Sequence, residues 1–493
     1  MRESLNARLS ARYCKDVLEP EIKDEFDSAF EDMINLNVAY AVMLNKVNLI
    51  SKQDAKILID GFETVRREMT KDDISGDLED IYFNVERRMF SVVGAEIGGK
   101  IHTGRSRNDI HAVMMRLEIR PTVIRILELL LELENLLLEK SKENFGTIIT
   151  GYTHCQPGQP ITLAHYYLGV FNAVSRDFER IIAAYLRLNR SPYGAAAFAG
   201  SSFEIDRDML AELLGFDTII ENTLDCIASR DYLLELLSAY SILASTVSRV
   251  ATDLHQWATF ENGMLEIGGQ AAGCSSIMPQ KRNPVLLETA RHKASYVYGG
   301  LMGALSALKC IPFNNSVDIC SVTAAYLPAA HEMESSLICL IETIKYSHIR
   351  EDRALENARV NMCTVTSLAE YMVERENISF TQAHDIVGNI SAIVTENGTY
   401  ISGITNEILR AESLKVLGRT IDISQEDINR VLDPATNVQG KRTVGGPQDE
   451  SVQKMINDGV NRLMAETSTF KNIIEKLSKC AQLLKNEEEQ ICK

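Results

Sequence analysis

Proline is scarce in this chain, 11 of 493 residues, and residues 21–120, 193–278 and 329–433 contain none. An interior proline costs a helix about 3 kcal/mol, so stretches this long without one are free to form long, uninterrupted helices. The ten cysteines, scattered from Cys14 to Cys492, include no CxxC pair and have no histidine-rich companion. That spacing argues against a disulfide framework and a zinc site, and leaves buried, reduced thiols as the expectation. Basic residues are outnumbered, 51 Lys and Arg against 68 Asp and Glu, for a formal charge of −17. Such a field disfavours nucleic acid and anionic membranes as partners, and requires any anionic substrate to be met by local cations. No run reaches the roughly 18 uninterrupted apolar residues of a membrane span, and the opening MRESLNARLSARYCKDVLEP lacks the apolar core of a signal peptide. A cytoplasmic location is expected. Period-two alternation bounded by hairpin turns, internal repeats and low-complexity tracts are also missing, so the expected fold class is all-α. The glycine turn at 94–99 follows no strand-like segment and no metal-ligand cluster is apparent, so no cofactor is expected.

Long amphipathic segments fill the text. At 121–140, PTVIRILELLLELENLLLEK places a proline where a helix can begin and then repeats leucine at helical spacing. Leu233, Leu237, Tyr240, Ala244, Val247, Ala251 and Leu254 alternate spacings of four and three, the seam of a packed bundle. A chain of this length outgrows a single core. We expect an N-terminal helical domain over 1–110, a long-helix bundle over 111–360 and a C-terminal helical domain over 361–493, the terminal KNEEEQICK being solvated. Punctuation falls at 94–104, 151–160, 191–200, 267–284 and 443–450. Loops on a rigid scaffold are where function concentrates.

One of these loops, GCSSIMPQKRNP at 273–284, combines small residues, two adjacent hydroxyls, a lysine and an asparagine. Ser275, Ser276, Lys281 and Asn283 supply a potential base, hydrogen-bond donors and a positive charge on a segment able to close over a ligand. With HTGRSRND at 102–109 and GYTHCQPGQP at 151–160, this segment resembles the signature of the aspartase and fumarase superfamily, closest to its argininosuccinate lyase branch. Further text at 203–217, 221–239 and 431–446 is similar to the same branch.

The resemblance implies a three-domain protomer whose long helices build a twenty-helix homotetramer core, with each active site drawn from three subunits. It implies a small dicarboxylate substrate, an N-substituted aspartate whose C–N bond is split to release fumarate. Carried over, Ser275 is the base, Lys281 its cationic neighbour, His154 the histidine that protonates the leaving nitrogen, and Glu288 the carboxylate that orients it. Ser106, Asn108, Thr153 and Asn283 match residues that hold the substrate's carboxylates. Arg105 and Arg107, in the same loop, are expected to pair with internal carboxylates or with substrate.

The chain departs from that branch at the amine end. Where the branch carries a YNxDLQEDK-like stretch, this chain reads FNNSVDICS, with Phe313, Asp318 and Ser321 at the tyrosine, glutamine and lysine positions. Asn37 stands for a substrate-binding serine, Tyr82 for a histidine, Val285 for an aspartate and Cys274 for a glycine. Losing a cation and gaining an anion favours an ammonium-bearing amine. The expectation is therefore a fumarate-releasing lyase acting on a different amine, similar to lyases of ethylenediamine disuccinate. Authentic argininosuccinate lyase is the alternative, and a silent crystallin-like structural protein the reading from another class.

Overall fold

The computed structural model describes residues 9–493. Residues 1–8, part of the opening read for a leader, lie outside the described residues. The fold is all-α. Helices α1 (Glu19–Lys46), α2 (Lys52–Glu68) and α3 (Ile81–Val93) build an N-terminal core around Met33, Ile34, Leu58, Phe62 and Val85. Helix α4 (Arg107–Glu143) leads to strands β1 (Ile148–Thr153) and β2 (Gln156–Thr162), then to α5 (Leu163–Leu188) and α6 (Asp231–Trp257). Strands β3 (Gly273–Cys274) and β4 (Arg282–Asn283) precede α7 (Val285–Leu308) and α8 (Cys320–Tyr346). Helices α9 (Val365–Glu376), α10 (Phe380–Glu396), α11 (Asn406–Leu417) and α12 (Gln425–Leu432) surround a third, separate core, and α13 (Asp449–Cys492) ends the chain.

Helices α4 to α8 run up and down through one continuous core. Every residue of the α6 seam inferred from its spacing is buried, each large side chain there contributing about 1.5–3 kcal/mol. Helix α6 is the one described helix long and apolar enough to cross a bilayer, with a mean hydropathy of 1.2 over 18 residues. Its apolar face is instead spent on the bundle.

Four sequence expectations change. Helix α4 does not begin at Pro121: it starts fourteen residues earlier and runs through that proline. Its start is a capping box, with Ser106 Oγ accepting from Asn108 N at 3.3 Å and Ser106 N donating to Asp109 Oδ1 at 2.9 Å. That cap and the burial of Ile110, Val113, Ile119 and Val123 offset the proline's cost. The segment at 151–160 is no irregular loop but most of an antiparallel hairpin. The C-terminal text is not a solvated tail: α13 packs Val452 and Ile456 into the bundle and Leu484 and Ile491 against the N-terminal core. Nor are the cysteines uniformly buried, since Cys155, Cys274, Cys310 and Cys320 are exposed.

Candidate active site

Three segments carry the residues singled out above. The first is the β1–β2 hairpin, in which Thr153 pairs with Gln156 and leaves His154 and Cys155 as a two-residue tip. Both tip residues hold positive φ, 54° and 58°, the twist a tight hairpin requires and that Asn-Gly usually supplies. A histidine held there is strained and presented outward, a conformation that concentrates at functional positions. Thr153 and His154 are both exposed.

The second segment, 102–109, is tied down from beneath. Asp109 Oδ2 accepts from Gly194 N at 3.1 Å and Ala196 N at 3.0 Å, fastening the loop at 191–200 to the start of α4. Burial pushes the Asp109 carboxyl up to about 6 despite these donors. Because Ser106 Oγ acts as an acceptor in its cap, its own proton is available outward. Asn108 Nδ2 donates to Ala197 O at 2.9 Å.

Two residues expected to touch substrate are otherwise engaged. Arg107 Nη1 reaches Glu79 Oε2 at 3.2 Å and Asp80 Oδ2 at 3.1 Å, and its guanidinium lies 4.5 Å over the Phe83 ring. Burial opposes ionisation of Asp80, but His111, the Phe83 amide and Arg107 outweigh it and hold that carboxyl low. Asn37 is 1% exposed; its Nδ2 donates to Met33 O at 2.7 Å and its Oδ1 accepts from Arg105 Nη2 at 2.8 Å. It is thus a support for Arg105 rather than a substrate contact. Arg105, itself buried, has no carboxylate partner among the described residues: it also donates to Tyr193 OH at 3.1 Å and lies 4.9 Å over the Tyr40 ring.

The third segment is the signature loop. Strands β3 and β4 pair Gly273 with Asn283 and Cys274 with Arg282, so Ser275 and Lys281 are the first and last residues of the loop between them. Ser275 Oγ accepts from Met278 N at 3.0 Å and Ile277 N at 3.4 Å. Ser276 and Lys281 are exposed, and Ser275 and Asn283 are half-buried. Glu288 follows in the first turn of α7, where its Oε1 lies 3.6 Å from His255 Nε2.

The bundle keeps these segments apart. Gln256 Nε2 lies 4.0 Å from Cys155 Sγ, and His255 meets Glu288, so the hairpin tip and the start of α7 share one end. Segment 102–109 lies at the other end, separated by the 37 residues of α4, a rise of about 55 Å. Within the chain it meets the amine-end segment instead: Asn315 Nδ2 donates to Asn108 Oδ1 at 2.9 Å. Phe313 is largely exposed, and Asp318 accepts from Ser316 Oγ at 3.2 Å. Neither Asn315 nor His255 carried a sequence signal, because each stands outside the motifs and acts through a distant partner.

Known proteins are similar to this chain along nearly its whole length. A lyase family model matches residues 16–299, and a model of the argininosuccinate lyase C-terminal region matches residues 362–439. The chain is 35% identical to argininosuccinate lyase 1 of Shouchella clausii over 95% of each chain. It is 34% identical to argininosuccinate lyase of Methanocaldococcus jannaschii over 97% of this chain and 98% of that one. EDDS lyase in complex with formate superposes with a TM-score of 0.89 at 27% identity, covering 99% of this chain and 96% of the other. A class II fumarase from Schistosoma mansoni, at 16% identity, 88% and 93% coverage and a TM-score of 0.67, shares the fold. With the signature loop, the hairpin and the long-helix bundle all in place, the chain belongs to the argininosuccinate lyase family and is a fumarate-releasing carbon–nitrogen lyase.

Proposed function

We propose that Ser275 removes a carbon-bound proton next to a substrate carboxylate, and that C–N cleavage then returns the electron pair to nitrogen. The observation that carries this assignment is the setting of Ser275 Oγ, which receives the backbone N–H groups of Met278 and Ile277 within the loop that also carries Lys281. Donors aimed at one oxygen, with a cation brought near it when the loop closes, favour its alkoxide, and the closed loop excludes the water that would compete. Lys281 and Asn283 then meet the charge that develops on the carboxylate as the proton leaves. Ser106, Asn108, Thr153 and Ser276 hold the two carboxylates. His154 delivers the proton to the departing nitrogen, and Glu288 fixes its tautomer.

The catalytic unit is a homotetramer in which each site takes its segments from three subunits. Its support is the separation of about 55 Å along α4, which prevents one protomer from closing its own site. Exposed Ile242, Tyr296, Met302 and Leu305 on α6 and α7 supply apolar surface for that assembly.

The substrate is argininosuccinate, split into arginine and fumarate. The support is the set of relatives named argininosuccinate lyase, 34–36% identical over 87–97% of this chain. A second reading, another N-(1,2-dicarboxyethyl)amine, is favoured by one observation: Phe313, Asp318 and Ser321 leave the amine end with an anion and no lysine. The test compares kcat/KM for argininosuccinate and for diamine-derived N-substituted aspartates, following fumarate absorbance. Preference for argininosuccinate supports the first reading. A diamine adduct cleaved better, and weakened selectively by Asp318→Asn, replaces it with the second.

A further inference from the structure

Asn108 sits in a chain of three hydrogen-bonding groups. Its Oδ1 accepts from Asn315 Nδ2 at 2.9 Å, and its Nδ2 donates to Ala197 O at 2.9 Å. Its backbone N–H is also taken, by Ser106 Oγ at 3.3 Å. A side-chain amide has one carbonyl oxygen and two N–H donors. With the oxygen and one N–H occupied, one N–H of Asn108 is left unengaged, and it belongs to the half of the amide able to meet an anion.

An amide turned over about its last side-chain bond would offer a carbonyl oxygen to the same position. A carboxylate would then face a lone pair instead of a donor. The carbonyl of Ala197 already disfavours the turned form, since it can only accept, and the Asn315 amide, in the orientation that presents Nδ2, disfavours it from the opposite side. Asn315 lies in the segment at the amine end of the site, 207 residues from Asn108 in sequence.

We infer that Asn315 is a positioning residue that fixes the orientation of the Asn108 amide, and so couples the amine-end segment to carboxylate binding. This inference rests on the reading above that Asn108 holds a carboxylate. Asn315 touches no reacting atom; it acts through Asn108.

The experiment is a double-mutant cycle in the full-length protein, with calorimetric Kd for fumarate, KM and kcat for the cleaved substrate, and Tm of every variant. Asn315→Asp replaces the donor by a charged acceptor, which favours the turned amide and sets two acceptors against Oδ1. It should weaken fumarate by about tenfold or more, the worth of one charge-assisted hydrogen bond, and raise KM more than it lowers kcat. Asn315→Ala should weaken fumarate only about threefold, because Ala197 still orients the amide, and Asn315→Gln, which keeps a donor, should recover most of the loss. In an Asn108→Ala background the Asn315 substitutions should have no further effect on fumarate. A merely structural role would lower Tm without producing this order or its disappearance. If Asn108→Ala weakens fumarate while Asn315→Asp does not, or if Asn315→Asp acts equally in both backgrounds, the inference is overturned. If Asn108→Ala itself leaves fumarate binding unchanged, the assignment of Asn108 is what falls, and the inference with it.

Discussion

Ser175 Oγ donates a hydrogen bond of 2.7 Å to Glu466 Oε1, joining α5 to the C-terminal helix 291 residues later. Glu134 of α4, fully buried, lies against the same Glu466, close enough for the two carboxyls to share a proton. Burial and the adjoining Glu466 carboxyl raise the Glu134 carboxyl, against the weaker pull of Arg462 and with Glu179 adding to the rise. The folded chain therefore keeps a proton on Glu134 that the unfolded chain releases.

The sign follows from linkage. Above the ordinary glutamate value and up to the raised folded value, the native state binds the extra proton, so stability falls as pH rises. One proton contributes at most about 1.4 kcal/mol per pH unit. Glu134→Gln, a permanent neutral donor to Glu466, should flatten the decline of Tm between neutral pH and pH 9. Parallel wild-type and variant profiles would show that Glu134 does not hold the proton.

Ser275→Ala removes a half-buried loop hydroxyl and no core packing, so Tm should change little. Turnover should fall roughly 10²- to 10⁴-fold, the contribution of a positioned base. Near-normal fumarate release by a folded Ser275→Ala enzyme would reassign the base.

His154→Ala and Ser275→Ala chains should each be inactive alone and active when co-assembled, because a site built from different subunits can draw both intact residues. Random mixing of equal amounts should restore about a quarter of the sites. Verified mixed tetramers without activity would place both residues on one subunit's site.

At the amine end, Phe313→Tyr with Ser321→Lys should return a hydrogen-bond donor and a cation. Argininosuccinate kcat/KM should rise about tenfold or more. An unchanged value would locate amine recognition outside residues 313–321.

Arg105→Met should unfold the support beneath the carboxylate loop rather than abolish a substrate contact. Asn37 Oδ1 and Tyr193 OH lose their shared partner, so Tm should drop by the cost of about 1–3 kcal/mol for each buried group left unpaired. Loss of activity with an unchanged Tm would instead make Arg105 a direct ligand.

The residue pattern alone determined which face of α6 is buried, because a side chain's place on a helix follows from spacing and needs no distant partner. It also located the three loops, since glycine, proline and capping residues act on their own neighbours; the box at Ser106 and Asp109 is such a signal, although the reading at Pro121 passed over it. The hairpin at 148–162 stayed hidden because its tip is exposed and its buried positions, Ile149, Thr150, Pro160 and Thr162, are too few and too polar to show an apolar alternation. Tertiary structure decided the rest. It turned Arg107 toward Glu79 and Asp80 and closed Asn37 onto Arg105. It also joined Asn315 to Asn108 and set segment 102–109 at the opposite end of the bundle from His154. These pairings span tens to hundreds of residues, and a local pattern carries no record of which distant group a side chain meets when the helices pack.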